Sequence, residues 1–189
     1  MGFISAGDFT DLFYKIKGRG IKFIAGKISL HAASRTRNTW NDVHNNSSNW
    51  WILEAVRKRW NKLITGKEEL EYEDYVAAKY LTDKKNIVIL SVGCGEGDHE
   101  IAFSRHLNIT GIKGIDIAER PLVVARQKAA QLNAQHVNFE NISFEKFVPK
   151  EPLDVILFHS SLHHFKNIPT ILAKANNMLA DNGLVIIHE

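Results

Sequence analysis

Leu90-Ser91-Val92-Gly93-Cys94-Gly95-Glu96-Gly97 is the stretch on which the fold of this chain turns. Three glycines at alternate positions close an apolar, β-branched run, Ile87 to Val92, that reads as a buried strand. The segment from about Asp98 to His106 reads as the helix that follows. A strand that passes into a helix through glycines lets main chain lie against a ligand with no Cβ in the way. The helix N-terminus adds its free N–H groups at the same place. The spacing narrows the ligand. A dinucleotide fingerprint, Gly-x-Gly-x-x-Gly, needs its third glycine at 98, where this chain has Asp98, a carboxylate unsuited to a pyrophosphate. The Gly-x-x-x-x-Gly-Lys-Ser/Thr pattern of phosphate loops is absent too. An NAD-dependent dehydrogenase is therefore disfavoured.

Downstream of the loop, strand and helix alternate. Gly111 to Ile117 reads as a strand, Arg120 to Asn133 as a helix with Pro121 in its first turn, and His136 to Asn141 as a strand. Asp154 to His159 is a further strand and Pro169 to Leu179 a helix. Asp181-Asn182-Gly183 reads as a turn into a last strand, Leu184 to His188. Such alternation calls for right-handed crossovers and a mainly parallel, doubly wound α/β sheet. Before residue 84 the pattern is helical. Phe9, Leu12, Phe13 and Ile16 recur at helical spacing, with Ser5 and Asp8 placed as a capping pair. A second helix is predicted from Ser47 or Ser48 to about Ile64, with Ile52, Val56, Trp60 and Leu63 as its apolar stripe and Glu54 four residues before Lys58. A third covers Glu71 to Leu81. The division predicted is 1–84, a helical segment on the substrate side, and 85–189, the nucleoside-binding sheet.

The order of motifs in 86–189 resembles that of the class I, Rossmann-like S-adenosylmethionine-dependent methyltransferases, in particular methyltransferase domains of types 11 and 12. Gly93-x-Gly95-x-Gly97 resembles their first motif. Gly114-Ile115-Asp116-Ile117 looks like the end of their second strand, where an acidic residue holds the ribose hydroxyls of the cofactor; Asp116 lies 19 residues after Gly97. Asp154 to Phe165 looks like the fourth strand and its loop, and Asn177 to Ile187 like the turn into the fifth. The resemblance implies S-adenosylmethionine as cofactor, held by Ser91, Gly93, Cys94, Gly95, Glu96, Gly97, Asp116, Ile117, Ser143, Phe144 and His159. Relatives often carry an acidic residue where this chain has Ser91. The cofactor's amino group would then fall to Ser91, loop carbonyls or Glu96. Phe144 would pack on adenine, with Ser143 or Asn141 near its amino group. The family sheet has seven strands, so two C-terminal strands are expected to be missing after Glu189, which leaves an apolar sheet edge open to a second copy.

In a methyl transfer the donor arrives activated, so the protein aligns the nucleophile and excludes water. A general base serves a hydroxyl acceptor. His163 and His159 are the candidates, with His164 and Glu189 nearby. Cys94, between two glycines, reads as a small loop filler, and no residue cluster has metal-ligand spacing. The acceptor expected is a small molecule, of a sugar or secondary-metabolite kind. A catalytically silent, cofactor-binding fragment or regulatory subunit is the rival. A nucleic-acid methyltransferase draws on charge: residues 1–67 carry 12 Lys and Arg against 4 Asp and Glu (+8), residues 68–189 carry 12 against 17 (−5). Against it, the chain has no Asn/Asp-Pro-Pro-aromatic tetrapeptide and no RNA-binding module. With 44% hydrophobic and 24% charged residues the composition is that of a soluble globular protein. No run approaches the ~20 apolar residues of a membrane span, no export signal is visible, and the one cysteine suits a reducing, cytoplasmic setting.

Overall fold

Ile87–Val92 forms β1, the centre of a five-stranded sheet in a computed structural model that describes residues 53–189 without a break and, before them, residues 13, 17, 34, 36–38 and 41. The chain divides into two compact units, Met1–His44 and Asn45–Glu189. The described residues of the first are helical; all that follows concerns the second. The sequence put the change of character at residue 84, whereas contacts put it forty residues earlier, so the two helices before the sheet belong to the sheet's own unit.

Those helices are α1 (Glu54–Thr65) and α2 (Tyr72–Tyr80). They precede β1, α3 (Asp98–Phe103), β2 (Ile109–Asp116), α4 (Glu119–Gln131), β3 (Val137–Asn141), β4 (Leu153–His159), a 3₁₀ turn (Leu162–His164), α5 (Ile168–Met178) and β5 (Leu179–His188). The strand order is β3-β2-β1-β4-β5 and every pairing is parallel. The order reverses between β1 and β4, so the loop after β1 opens at the switch point where ligands of such sheets bind.

Period-2 alternation sends each strand's residues to two cores. Ile87, Ile89, Ile112, Val137, Val155 and Leu157 face a cluster closed by Tyr72 and Val76 of α2, Phe103 of α3 and Ala129 of α4. Leu90, Val92, Ile115, Ile156 and Phe158 face the other, closed by Ile171, Ala175 and Met178 of α5 and by Phe144 and Phe147. Phe103 and Phe158 are almost wholly buried. Burying each contributes about 2–3 kcal/mol, and Phe158→Ala would cost about 3–5 kcal/mol through the cavity it leaves.

Two predictions need correcting. Trp60 and Leu63 were expected on the buried face of their helix, yet they are 40% and 68% exposed; α1 instead buries Asn61, whose amide donates to Glu68 O at 3.1 Å. Glu54 and Lys58 do pair, at 2.9 Å. Asp181-Asn182-Gly183 is not a turn ahead of β5 but a bulge within it, for the ladder jumps from Leu153↔Leu179 to Val155↔Leu184 while Asn182 takes φ +62°. The helix predicted over residues 9–16 and the Ser47/Ser48 cap lie outside the described residues, apart from Phe13.

Candidate functional site

The loop after β1 first continues the sheet. Gly93 N–H and Cys94 N–H both donate to Ile115 O, at 2.8 and 3.2 Å, and Gly97 N–H returns to Cys94 O at 3.1 Å before α3 begins. Gly97 takes φ +79°, and a Cβ there would lie 2.5 Å from the Phe139 ring and 2.9 Å from Ala125 Cβ. Its hydrogen is thus needed for packing. Gly95 takes φ +55°, and a Cβ there would meet nothing within 4 Å. Main chain at Gly95 therefore faces open space, the cradle expected of a ligand loop. Gly93 lies against the next loop: a Cβ on it would come 2.7 Å from Ser161 Cβ, and Ser161 Oγ donates to Val92 O at 2.6 Å.

Asp116, the last residue of β2, reaches across to this cradle. Its Oδ2 accepts from Gly95 N–H at 3.1 Å and its Oδ1 from Ala118 N–H at 2.8 Å. Burial raises its pKa, against the lowering by these backbone donors. The Ile117 N–H acts on it in the same sense, and the lone-pair sites that remain on the carboxylate suit a diol. Ile117 follows Asp116 half-buried, Ser143 is half-buried two residues past the end of β3, and Asn141 Nδ2 donates to Asp116 O at 3.0 Å. Phe144 lies elsewhere. It is 2% exposed, edge-on to Phe158 and Phe165, so its ring belongs to the α5-side core and offers no face to a base. Glu96 is turned to α4, where Lys128 Nζ holds it at 3.2 Å and Asp98 at 2.7 Å. The Cys94 thiol is pushed well up by burial and by the Glu100 and Asp116 carboxylates, and its sulfur fills the space over Gly114. It is a filler.

Sequence reasoning missed Glu100. Ser91 faces the α2–α3–α4 side of β1, and its hydroxyl donates to Glu100 Oε1 from the first turn of α3. Glu100 is 1% exposed, its pKa raised chiefly by burial, and its Oε2 has no hydrogen-bond partner among the described residues. Beneath the loop the carboxylate thus comes from α3, while β1 contributes the hydroxyl that orients it. The signal was a lone carboxylate on the apolar side of Ile101 and Phe103. Open space over Gly95, the Asp116 carboxylate and an orphaned carboxylate oxygen beneath the loop together fit a nucleoside that carries a cationic amine.

A second group sits beside this one, at the carboxyl ends of β1, β4 and β5. The columns Val155-Leu157-His159 and Leu184-Ile186-His188 turn from apolar to imidazole on reaching the edge. His159 and His188 are ladder partners and stack at 4.5 Å and 9°. Tyr72 stacks on both, at 5.4 and 4.7 Å, and His99 lies 3.5 Å from His159 between ring centres. His99 Nδ1 is 2.6 Å from Glu73 Oε1. Burial, with His99 and His188 nearby, pushes His159 down to about 2, and burial lowers His188 as well. Burial would lower His99 too, but Glu73 overcomes it and raises the ring. Tyr72 OH and His159 Nε2 are buried with no partner among the described residues. His159, a sequence candidate for proton acceptor, is thus the least basic imidazole of the group.

His163, the other candidate, sits on the 3₁₀ turn with its side chain 57% exposed and Nδ1 2.5 Å from Glu189 Oε2. Glu189 Oε1 caps the same turn, accepting from Ser161 N–H at 3.1 Å and Leu162 N–H at 2.7 Å. Burial pulls the Glu189 carboxyl up, but His163 and these amides bring it below the usual range. Among the described residues there is no group of three or more His, Cys, Asp or Glu able to hold a metal, and no helix long and apolar enough to cross a membrane.

A Methyltransferase domain family matches residues 83–189. The ubiquinone biosynthesis O-methyltransferase of Glaesserella parasuis serovar 5 is 31% identical over 120 residues, 57% of this chain and 49% of that protein. The demethylmenaquinone methyltransferase of Staphylococcus aureus is 27% identical over 149 residues, 73% of this chain and 58% of that one. The chain thus spans about half the length of the curated relatives it matches. Among solved structures, a SAM-dependent methyltransferase from Thiobacillus denitrificans in complex with S-adenosyl-L-homocysteine superposes with a TM-score of 0.54, at 18% identity, over 62% of this chain and 48% of that one. That likeness concerns the fold.

Proposed function

From the premise that this chain belongs to the methyltransferase domain family, of the Rossmann-like S-adenosylmethionine-dependent class, we propose that its sheet edge binds S-adenosylmethionine and that a small-molecule acceptor takes the methyl group. The observation that carries the reading is the bond between Gly95 N–H and Asp116 Oδ2, beside open space at Gly95. It joins the glycine loop to the carboxylate that would grip a sugar. When bound, the cofactor supplies a methyl group on a positively charged sulfur, which leaves as a neutral thioether once a nucleophile takes the carbon. Asp116 holds the ribose hydroxyls through its remaining lone pairs. Glu100, oriented by Ser91, offers its unpartnered oxygen to the ammonium of the methionine part, a charge-assisted bond that also relieves the burial of the carboxylate. Ile117 and Ser143 border the adenine side. Two relatives bear the names of quinone-pathway enzymes, which supports a small organic acceptor over nucleic acid. Calorimetric titration with S-adenosylmethionine, S-adenosylhomocysteine and NAD tests this. Both adenosyl compounds should bind and NAD should not; an absence of heat at saturating S-adenosylmethionine overturns it.

A further inference from the structure

Two carboxylate–imidazole pairs stand at the carboxyl edge of the sheet, and only one has surroundings suited to moving a proton. The His163–Glu189 pair is open to water, and its carboxylate also caps a turn. The His99–Glu73 pair is enclosed. Glu73 is 6% exposed, Tyr72 is 6% exposed, and the His159 and His188 rings stand beside them. His99 itself keeps 30% of its side chain exposed, so it is the accessible rim of a buried polar group. It also lies two residues past Gly97, on the first turn of the helix that the glycine loop begins.

We infer that His99, oriented by Glu73, is the proton acceptor for a hydroxyl group on the substrate, so that the acceptor is a phenol or alcohol and the product a methyl ether. This rests on the methyltransferase reading above. At 2.6 Å the Glu73 carboxylate accepts from His99 Nδ1–H, which fixes the tautomer and leaves Nε2 with a lone pair. The surroundings keep the added charge on this ring. Glu73 from α2, with Asp98 and Glu100 on α3, favours its protonated form, while His159 from β4 and His188 from β5 are held neutral by burial. Tyr72, neutral and stacked on both, walls off water. The substrate O–H bond breaks with its proton passing to Nε2. The oxygen's electron pair forms the new oxygen–carbon bond, and the pair of the carbon–sulfur bond leaves with sulfur. The imidazolium then loses its proton to solvent through its exposed edge. His99 is the catalytic residue and Glu73 a positioning residue.

The test has one arm that needs no cofactor. Nitrogen-15 and carbon-13 titration of the histidines in the free protein should show His99 protonated on Nδ1 when neutral, with a pKa above the ordinary histidine value that falls in Glu73→Gln. An Nε2–H tautomer, or a pKa indifferent to Glu73, overturns the assignment. In the second arm, catechol, a hydroquinone and a primary alcohol are offered with S-adenosylmethionine, beside aniline. Methyl ether formation should fall about 10²–10⁴-fold in His99→Gln. The acid limb of kcat should move down in pH in Glu73→Gln and be largely restored in Glu73→Asp. Methylation of aniline alone, no ether from any hydroxyl probe, or ether formation that survives His99→Gln overturns it. S-adenosylhomocysteine affinity, measured in parallel, should be the same in all variants. Its absence from the unmutated protein would instead be the failure of the cofactor reading.

Discussion

The glycine edge and the imidazole edge lie side by side at the carboxyl end of β1, and they are built by opposite means. The first is main chain: three residues of left-handed φ, amides directed at Ile115 O and Asp116, and one position where the absence of a side chain leaves room. The second is side chains alone, four rings and one acid brought together from α2, α3, β4 and β5. Backbone conformation is set by neighbours in sequence, while ring contacts are set by register and packing. The first kind of site tolerates little change in shape, the second little change in hydration or charge.

That contrast can be broken most forcefully at Gly97. Gly97→Ala forces a side chain into left-handed φ and against Phe139 and Ala125, and should cost about 2–5 kcal/mol in urea unfolding. Gly95→Ala, with open space around its Cβ, should cost only about 1–2 kcal/mol of stability while blocking the cradle. Equal losses at the two would mean that shape does not set these glycines apart. Next in size, Asp116→Ala should weaken calorimetric affinity for S-adenosylmethionine by ~1.5–3 kcal/mol, about 10–150-fold. An unchanged affinity would move the cofactor away from this edge.

The imidazole edge should announce itself through pH. His159 is depressed to about 2 in the folded protein, against an ordinary 6.5, so below about 6.5 the unfolded chain takes up a proton that the folded one refuses. Stability from this group is full above 6.5 and declines as pH falls toward 2, by up to about 1.4 kcal/mol per pH unit. His188, also lowered, adds in the same sense; His99, raised, acts oppositely and loses its contribution as pH rises through its folded value. Urea midpoints at pH 7.5, 6.5 and 5.5 should fall in that order and flatten in His159→Gln. A flat profile in the unmutated chain would show these rings to be hydrated. The smallest effect belongs to Lys128→Ala. Its pairs with Glu96 and Asp98 are part-exposed, so it should cost at most about 1 kcal/mol and leave cofactor affinity alone. A large loss of affinity would return Glu96 to the cofactor.

The same contrast explains what could be read in advance. The strand–helix alternation and the placing of Gly93 to Gly97 beside Asp116 follow from local signals, namely β-branched runs, glycine spacing and a carboxylate at a strand end, and the sheet matches them in order and pairing. The exposure of Trp60 and Leu63 was illegible because an amphipathic stripe names a face and not what covers it. Phe144 was placed by counting from a strand end, and a 2% exposed ring shows that the count met the core first. His99 and Glu73 stand 26 positions apart on different helices, and nothing in either helix announces the other. Glu100 was the nearest miss, since a single acid on an apolar helix face does signal a buried partner.

Gly93 and Ser161 form a joint constraint of another sort. With hydrogen at 93 as the only atom that clears Ser161 Cβ, and the Ser161 hydroxyl tied to Val92 O, neither position can drift alone. A lineage that enlarged residue 93 would have to surrender the serine in the same step, and one that enlarged residue 161 would pry apart the two loops that meet there. Over evolutionary time the pair should be inherited as a single character, and a mutagenesis library that randomises one of the two while holding the other fixed should return few survivors.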